Sequence, residues 1–272
     1  MPALHLRRTL ARLALLLPVG ACADRSDTSL LGGELITLAG STSIQPFAER
    51  WAEEYHGGRI VVQSGGSTAG IRAAHDGTAD IGMSSRALHP VETAGLVQTI
   101  VARDGIAVIV HASNPVHATS LAQLRDIYSG RIRNWSQLGG RDAAIRVITR
   151  EDGSGTRDAF EAFVMDAQHE IAPAALVTAY SGGLRKMVSQ DPHAIGYVTF
   201  SQLTAEVHAI TIDGIAPTER SIASGTYRLQ RPFVFLTHGP PRGDALAFIE
   251  FVLSASGQRL ARAEGLAPVT VQ

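Results

Sequence analysis

An α/β protein with largely parallel sheets is the fold class this sequence predicts, and three observations predict it. Short apolar runs with strand character alternate with helical stretches along almost the whole chain. Glycine turns carrying Ser or Thr repeatedly join a strand to the helix that follows it. At 272 residues, with 45% apolar, 18% charged and 6% aromatic content, the chain can bury one large core or two moderate ones without disulfides.

The elements follow in order. Leu35–Ala39 (LITLA) is predicted as a strand and residues 46–55 as a helix. Ile60–Gln63 is a second strand, followed by a short helix over residues 70–76, and Asp80–Met83 is a third strand. The unbroken apolar run of Ile106–Val110 (IAVIV) marks a buried strand. Leu121–Tyr128 has helical character, and Ile145–Thr149 (IRVIT) is a strand leading into a helix over residues 156–165. A helix near Leu184–Ser189, strands at Ile195–Thr199, His208–Ile212 and Phe233–Thr237, and helices at Asp244–Leu253 and Gln258–Glu264 complete the series. Asn114-Pro115 and Asp213-Gly214 are turn signals where the chain can pass between two parts of the fold.

Residues 1–22 have the pattern of an export signal. Arg7, Arg8 and Arg12 precede the apolar run Leu13–Pro18, which is shorter than the roughly 20 residues needed to span a bilayer. Val19-Gly20-Ala21-Cys22 then places small residues directly before the only cysteine. In an ordinary cleaved leader Cys22 would be incidental. VGAC also resembles a bacterial lipobox, in which the cysteine is lipidated and becomes the new N-terminus. The lipoprotein reading is preferred, because a single free thiol is unusual in an exported chain. It predicts a periplasmic or cell-surface protein held to the membrane through Cys22, with residues 1–21 removed and residues 22–33 as a tether.

Composition excludes several classes. The 24 basic and 25 acidic residues nearly cancel, so no clustered basic excess suggests a nucleic-acid binder. One cysteine rules out a disulfide scaffold. Loss of the leader removes three arginines and no acid, leaving 21 basic and 25 acidic residues. An anion would therefore have to be attracted by local geometry rather than by bulk charge. Lys186 is the only lysine, which we attribute to genome composition.

One pattern occurs three times between a strand and a helix. It comprises Gly40-Ser41-Thr42-Ser43, then Gly65-Gly66-Ser67-Thr68-Ala69-Gly70, then Gly153-Ser154-Gly155-Thr156. A helix N-terminus carries unpaired N–H groups and partial positive charge, and glycine lets an anion approach that backbone. Ser and Thr are also the commonest N-caps, and Thr42 with Gln45 fits a capping box that would serve only its own helix. Three such turns carry more weight, because parallel sheets gather them along one crevice. Arg150 adds a guanidinium able to form parallel hydrogen bonds to an oxyanion. Asp152, two residues on, could orient it; a surface Arg–Asp pair is the equal alternative. Hydrogen bonds to a charged group contribute roughly 1.5–3 kcal/mol each, so five or six of them reach the roughly 8–12 kcal/mol of a micromolar to nanomolar complex after losses. Ser181-Gly182-Gly183 precedes another helix in the same fashion and is best explained as an N-cap without a ligand.

These residues resemble a known family. Ala39–Tyr55 (AGSTSIQPFAERWAEEY), Gln63–Ala73 (QSGGSTAGIRA), Ala79–Leu88 (ADIGMSSRAL), Ile127–Gly140 (IYSGRIRNWSQLGG), Arg150–Phe160 (REDGSGTRDAF), Ala194–Val198 and Phe248–Leu260 are similar to the PstS-type phosphate-binding proteins of bacterial ABC importers. The resemblance spans, with gaps, about residues 35 to 269. It implies a two-lobed periplasmic-binding-protein fold of the second type, with two crossing segments and the ligand in the interlobe cleft. Residues 34–111 with 200–272 would form one lobe and residues 112–199 the other. Carried over residue by residue, it implies phosphate contacts from Thr42, Ser43, Ser67, Arg150, Ser154, Gly155 and Thr156, with Asp152 orienting Arg150. Well-known members place a carboxylate where this chain has Ser85, followed by Arg86; both are expected at the ligand. A serine hydroxyl can accept the proton of hydrogen phosphate but repels sulfate far less than a carboxylate would.

The resulting expectation is a monomeric receptor for inorganic phosphate that needs no cofactor and no metal, and that serves the membrane subunits of an ABC importer. A general oxyanion receptor for sulfate or molybdate, or a phosphate-sensing lipoprotein, is the alternative. A serine hydrolase centred on Ser67 is weaker, because Gly65-Gly66-Ser67-Thr68-Ala69 lacks the final glycine of a nucleophile elbow. No P-loop surrounds Lys186, and His169-Glu170 lacks a second histidine at metalloprotease spacing.

Overall fold

The computed structural model describes residues 35–269; the predicted leader, Cys22 and the tether lie outside the described residues. The first stretch runs β1 (Leu35–Gly40), α1 (Gln45–Glu54), β2 (Arg59–Ser64), α2 (Ser67–His75), β3 (Ile81–Ser84) and the long β4 (Leu96–His111). It continues through β5 (Ala118–Thr119), α3 (Leu121–Tyr128), β6 (Arg146–Arg150), α4 (Gly155–Val164), β7 (Leu176–Thr178), α5 (Ser181–Gln190) and β8 (Ala194–Thr199). Then come β9 (Val207–Ala209), β10 (Thr211–Ile212), α6 (Glu219–Ala223), β11 (Gln230–His238), α7 (Gly243–Leu253) and α8 (Ala255–Ala263).

The strands order as β2-β1-β3-β11-β4-β8-β6-β7, with β9 also on β4 and a separate β5–β10 pair. Pairing is parallel at either end, in β2-β1-β3 and in β8-β6-β7, and antiparallel through β3-β11-β4-β8 in the middle. Parallel neighbours joined by helices put every strand-to-helix turn at the same edge of its half. Each half has its own core. Leu38, Phe47, Trp51, Ile81, Phe233, Phe235 and Phe248 fill the first. Ile106–Val110, Leu124, Tyr128, Trp135, Phe160, Leu184 and Tyr197 fill the second.

Strand β4 links the halves. It pairs with β11 from Leu96 to Gly105 and with β8 from Ile106 onward. The sequence marked only Ile106–Val110, because the earlier residues (LVQTIVARDG) carry polar side chains that interrupt the apolar run. The chain returns beside this point, where the Ile106 amide donates to the Leu229 carbonyl at 2.7 Å. Ile106–His111 and β9, together with Ile222, Tyr227 and Leu229, thus pack with the second core. β4 therefore passes between the halves in mid-strand.

Candidate ligand-binding site

The first glycine turn is shaped by packing. Gly40 has φ +133°, and a Cβ there would lie 2.7 Å from the Cα of Gly70, so β1 and α2 can touch only as glycines. Beyond it, Ser41 Oγ accepts from the amide of Ser43 at 3.2 Å. The expected capping box of Thr42 with Gln45 does not form. Ile44 caps α1 without a side-chain bond, and Thr42 Oγ1 instead accepts from Arg150 at 3.1 Å.

The second and third turns meet each other. The Thr68 amide donates to the Gly153 carbonyl at 3.1 Å, which brings the start of α2 against the start of α4. Ser67 is the first residue of α2 and is fully buried. Its Oγ accepts from the Ser85 amide at 3.0 Å and lies 3.3 Å from Ser85 Oγ. Gly155 opens α4 against these two serines; a Cβ there would overlap Ser67 and lie 2.8 Å from Ser85 Oγ. Ser154 is the N-cap of α4, its Oγ accepting from the Arg157 amide at 3.4 Å. Among the described residues, no hydrogen bond engages the N–H groups of Gly155 or Thr156.

Thr156 joins the two halves. Its Oγ1 lies 2.8 Å from Ser43 Oγ, which in turn is 3.1 Å from Ser181 Oγ at the start of α5. Ser181 is buried and accepts from Arg150 Nη1 at 2.8 Å, so it belongs to the cluster rather than being a plain helix start. Its turn, Ser181-Gly182-Gly183, carried that signal, though a structural N-cap was the preferred reading.

Arg150 ends β6 and is 1% exposed. Its backbone is held by Tyr197, whose hydroxyl accepts from the Arg150 amide at 3.3 Å and sits 2.7 Å from Thr149 Oγ1. The guanidinium is oriented by Glu151, with Nε and Nη2 each donating at 2.9 Å to one carboxylate oxygen. This corrects the role expected for Asp152. That side chain is 96% exposed and accepts from Arg157 at 2.6 Å. Successive residues after a strand end diverge, so the adjacent carboxylate reaches back to the guanidinium and the next one turns to the helix.

Arg86 is a second correction. It is buried, but its Nη1 and Nη2 donate to Glu92 at 2.7 and 2.8 Å, and its Nε lies 2.7 Å from Asp158 on α4. Two carboxylates therefore take the charge that was expected at the ligand. Burial opposes that charge, yet the pairing outweighs it and holds Arg86 above the ordinary arginine value. Hydrogen bonding from Arg86 correspondingly holds Glu92 below the carboxylate range.

The arginine that does reach Ser85 was missed. Arg231, in β11 and 2% exposed, donates from Nη1 to Thr156 Oγ1 at 2.7 Å and to Ser85 Oγ at 3.1 Å. Asp104 of β4 pairs with it at 3.0 Å, and Thr199 Oγ1 accepts from its Nη2 at 2.9 Å. Burial raises the Asp104 carboxyl to about 6 and lowers Arg231, each only partly offset by the other. A buried arginine just ahead of Pro232-Phe233 was the available signal, but the predicted strand began after it.

The assembled site gathers hydroxyls of Thr42, Ser43, Ser67, Ser85, Thr156 and Ser181 with two guanidiniums and a helix N-terminus. No carboxylate bonds to any of these hydroxyls among the described residues. Hydroxyls and guanidiniums in dry surroundings suit an oxyanion. The described residues also contain no cluster of His, Cys, Asp and Glu that could hold a metal.

Comparison with known proteins agrees with this chemistry. Residues 23–256 match the family model described as a PBP superfamily domain. The phosphate-binding protein PstS of Bacillus subtilis is 34% identical over 245 residues, covering 86% of this chain and 81% of that protein. A Clostridium perfringens protein, assigned as a phosphate ABC transporter substrate-binding protein and solved with bound phosphate, superposes with a TM-score of 0.84. It is 38% identical, and the match covers 87% of this chain and all of that one. An ABC-type phosphate transport receptor from Vibrio cholerae gives a TM-score of 0.73 at 36% identity, over 86% of this chain and all of the receptor.

Proposed function

This chain belongs to the PBP superfamily, among its PstS-type phosphate-binding proteins, and from that premise we propose that it is an extracytoplasmic receptor delivering inorganic phosphate to an ABC importer. The observation that carries the reading is the convergence of Thr42, Ser43, Ser67 and Ser85 with Arg150, Thr156, Ser181 and the start of α4 in one buried cluster. Thr42, Ser43, Ser67 and Ser85 come from the half built on β1–β3; Arg150, Ser154, Gly155, Thr156 and Ser181 come from the half built on β6–β8. An anion held by both sets satisfies all its oxygens only when the halves close, so binding and closure are one equilibrium.

The ligand is released unchanged. Ser67 and Ser85 are committed to each other and to backbone or guanidinium donors, and among the described residues neither is hydrogen-bonded to a histidine or carboxylate that would activate it. Lipidation at Cys22 supplies the membrane anchor in this reading, and the importer's membrane subunits are the protein partners. Calorimetric titration of the purified protein with phosphate tests the reading. A saturable one-to-one heat is expected, and folded, ligand-free protein giving no heat would overturn it.

A further inference from the structure

A second pocket lies beside the point where β4 passes between the halves, and it shares no residue with the hydroxyl cluster. It has a volume of about 820 Å³, within the roughly 300–1,000 Å³ of small-molecule sites. Its walls come from β4, α6, the end of α7, α8 and the segment that follows α8. Packing and backbone bonds hold those walls in place. Gly105, the last β4 residue before the passage to β8, leaves room for Ile222 of α6, which a Cβ there would overlap. Arg103 and Ala267 exchange backbone hydrogen bonds of 2.9 Å in both directions. Gln258 of α8 ties down the same segment, accepting from the Val269 amide at 2.8 Å and donating to the Val101 carbonyl at 3.0 Å. The pocket is thus formed by contacts that need no ligand.

The lining combines two chemistries. Ile222, Leu253, Leu266 and Val269 supply apolar surface. Arg103, Arg220 and Arg262 come from three separate elements, β4, α6 and α8, and all three are exposed. Among the described residues, none of these guanidiniums pairs with a carboxylate or makes a hydrogen bond. Glu219 is the one acid in the lining, so three positive charges against one negative leave the pocket basic, in a chain whose charges nearly cancel.

We propose that this pocket is a second ligand site, which binds an amphiphilic anion of the alkyl carboxylate class. The chain lies on Ile222, Leu253 and Leu266, and the carboxylate is held among Arg103, Arg220 and Arg262. Each half of the lining selects against a simpler ligand. An uncharged apolar molecule leaves the guanidiniums without a partner, and a small inorganic anion leaves the apolar surface in water. A carboxylate on an aliphatic chain satisfies both, because the planar guanidinium matches a carboxylate and the methylenes gain from burial.

Calorimetric titration of the purified protein with octanoate, and with octanol as the uncharged probe of equal chain length, tests this. Octanoate is expected to bind saturably and about tenfold more tightly than octanol. Each methylene added from hexanoate to decanoate is expected to strengthen binding about threefold. Arg103→Gln combined with Arg262→Gln should weaken octanoate about tenfold, since both side chains are exposed and neither backbone bond is altered. Thermal unfolding checks that this double variant is folded. If it is not, Arg220→Gln takes its place, with an expected loss of about threefold. No octanoate heat, equal affinity for octanol, or undiminished octanoate binding by the folded variant would each overturn the proposal. Displacement of octanoate by phosphate would do the same, since it would put the carboxylate in the hydroxyl cluster instead. The octanoate titration itself contains no phosphate, so its failure is distinct from failure of the phosphate-receptor reading.

Discussion

Arg86 and Arg231 are both buried arginines near Ser85, yet they occupy opposite situations. Arg86 follows Ser85 in the chain and is tied up by Glu92 and Asp158, with three charged contacts at 2.7–2.8 Å. Arg231 is distant in sequence, has a single carboxylate partner among the described residues, Asp104, and directs a guanidinium nitrogen at Ser85 and Thr156. Whether a buried arginine serves a ligand thus depends on how many carboxylates have already claimed it. Arg86 bridges its own half to α4 through Asp158 and so contributes to closure, whereas Arg231 and Arg150 keep hydrogen bonds turned toward the hydroxyl cluster.

The widest separation is expected between arginines that face the cluster and those that do not. Arg150→Ala should lower phosphate affinity by well over tenfold, since it removes donors to Thr42 and Ser181 and a charge from the site. Arg86→Ala should cost only about threefold in affinity, expressed as faster release in stopped-flow measurements, because it removes a bridge between the halves but no donor to the hydroxyl cluster. Equal losses in the two variants would abolish the distinction.

Acidity separates the same two pairs by sign. Glu92 is held below the ordinary carboxylate range, so its contribution to stability is complete above that range and is lost as pH falls through the folded value. Asp104 is raised from 3.8 to about 6, so between these values the native protein binds more protons than the unfolded chain. Its contribution therefore declines as pH rises across that window. Urea unfolding from pH 3 to 7 should show the stability difference between wild type and Glu92→Gln growing with pH at the acid end. The difference between wild type and Asp104→Asn should shrink toward pH 6. Parallel trends would show that one pair has been assigned the wrong sign.

The smallest effect belongs to the only lysine. Lys186 on α5 makes no side-chain hydrogen bond or salt bridge among the described residues, so Lys186→Ala should leave phosphate affinity unchanged in the same calorimetric titration.

Much of the site was legible because it is local. A strand, a glycine turn and a helix start are consecutive in the chain, so Thr42, Ser43, Ser67, Ser154, Gly155 and Thr156 could be picked out by pattern. The same locality misled where side chains bend away. Asp152 and Arg86 sit at the right places in sequence but point to Arg157 and to Glu92 with Asp158. Glu151 was overlooked although it adjoins Arg150, because spacing does not reveal which of two neighbouring carboxylates turns inward. Arg231 and Asp104 had no local signature; each is a charged residue in a strand, and only the antiparallel pairing of β11 with β4 makes them partners.

By itself the sequence determined the α/β class, the run of strands and helices, and three amide-lined turns, since these depend on backbone propensity and the period of apolar residues. Tertiary structure alone decided that β4 serves both halves and that Ser181 joins the cluster. It also decided which carboxylate meets which guanidinium and that Arg231 reaches Ser85. Those outcomes follow from long-range strand pairing and from the cost of burying a charge without a partner, and neither is written in neighbouring residues.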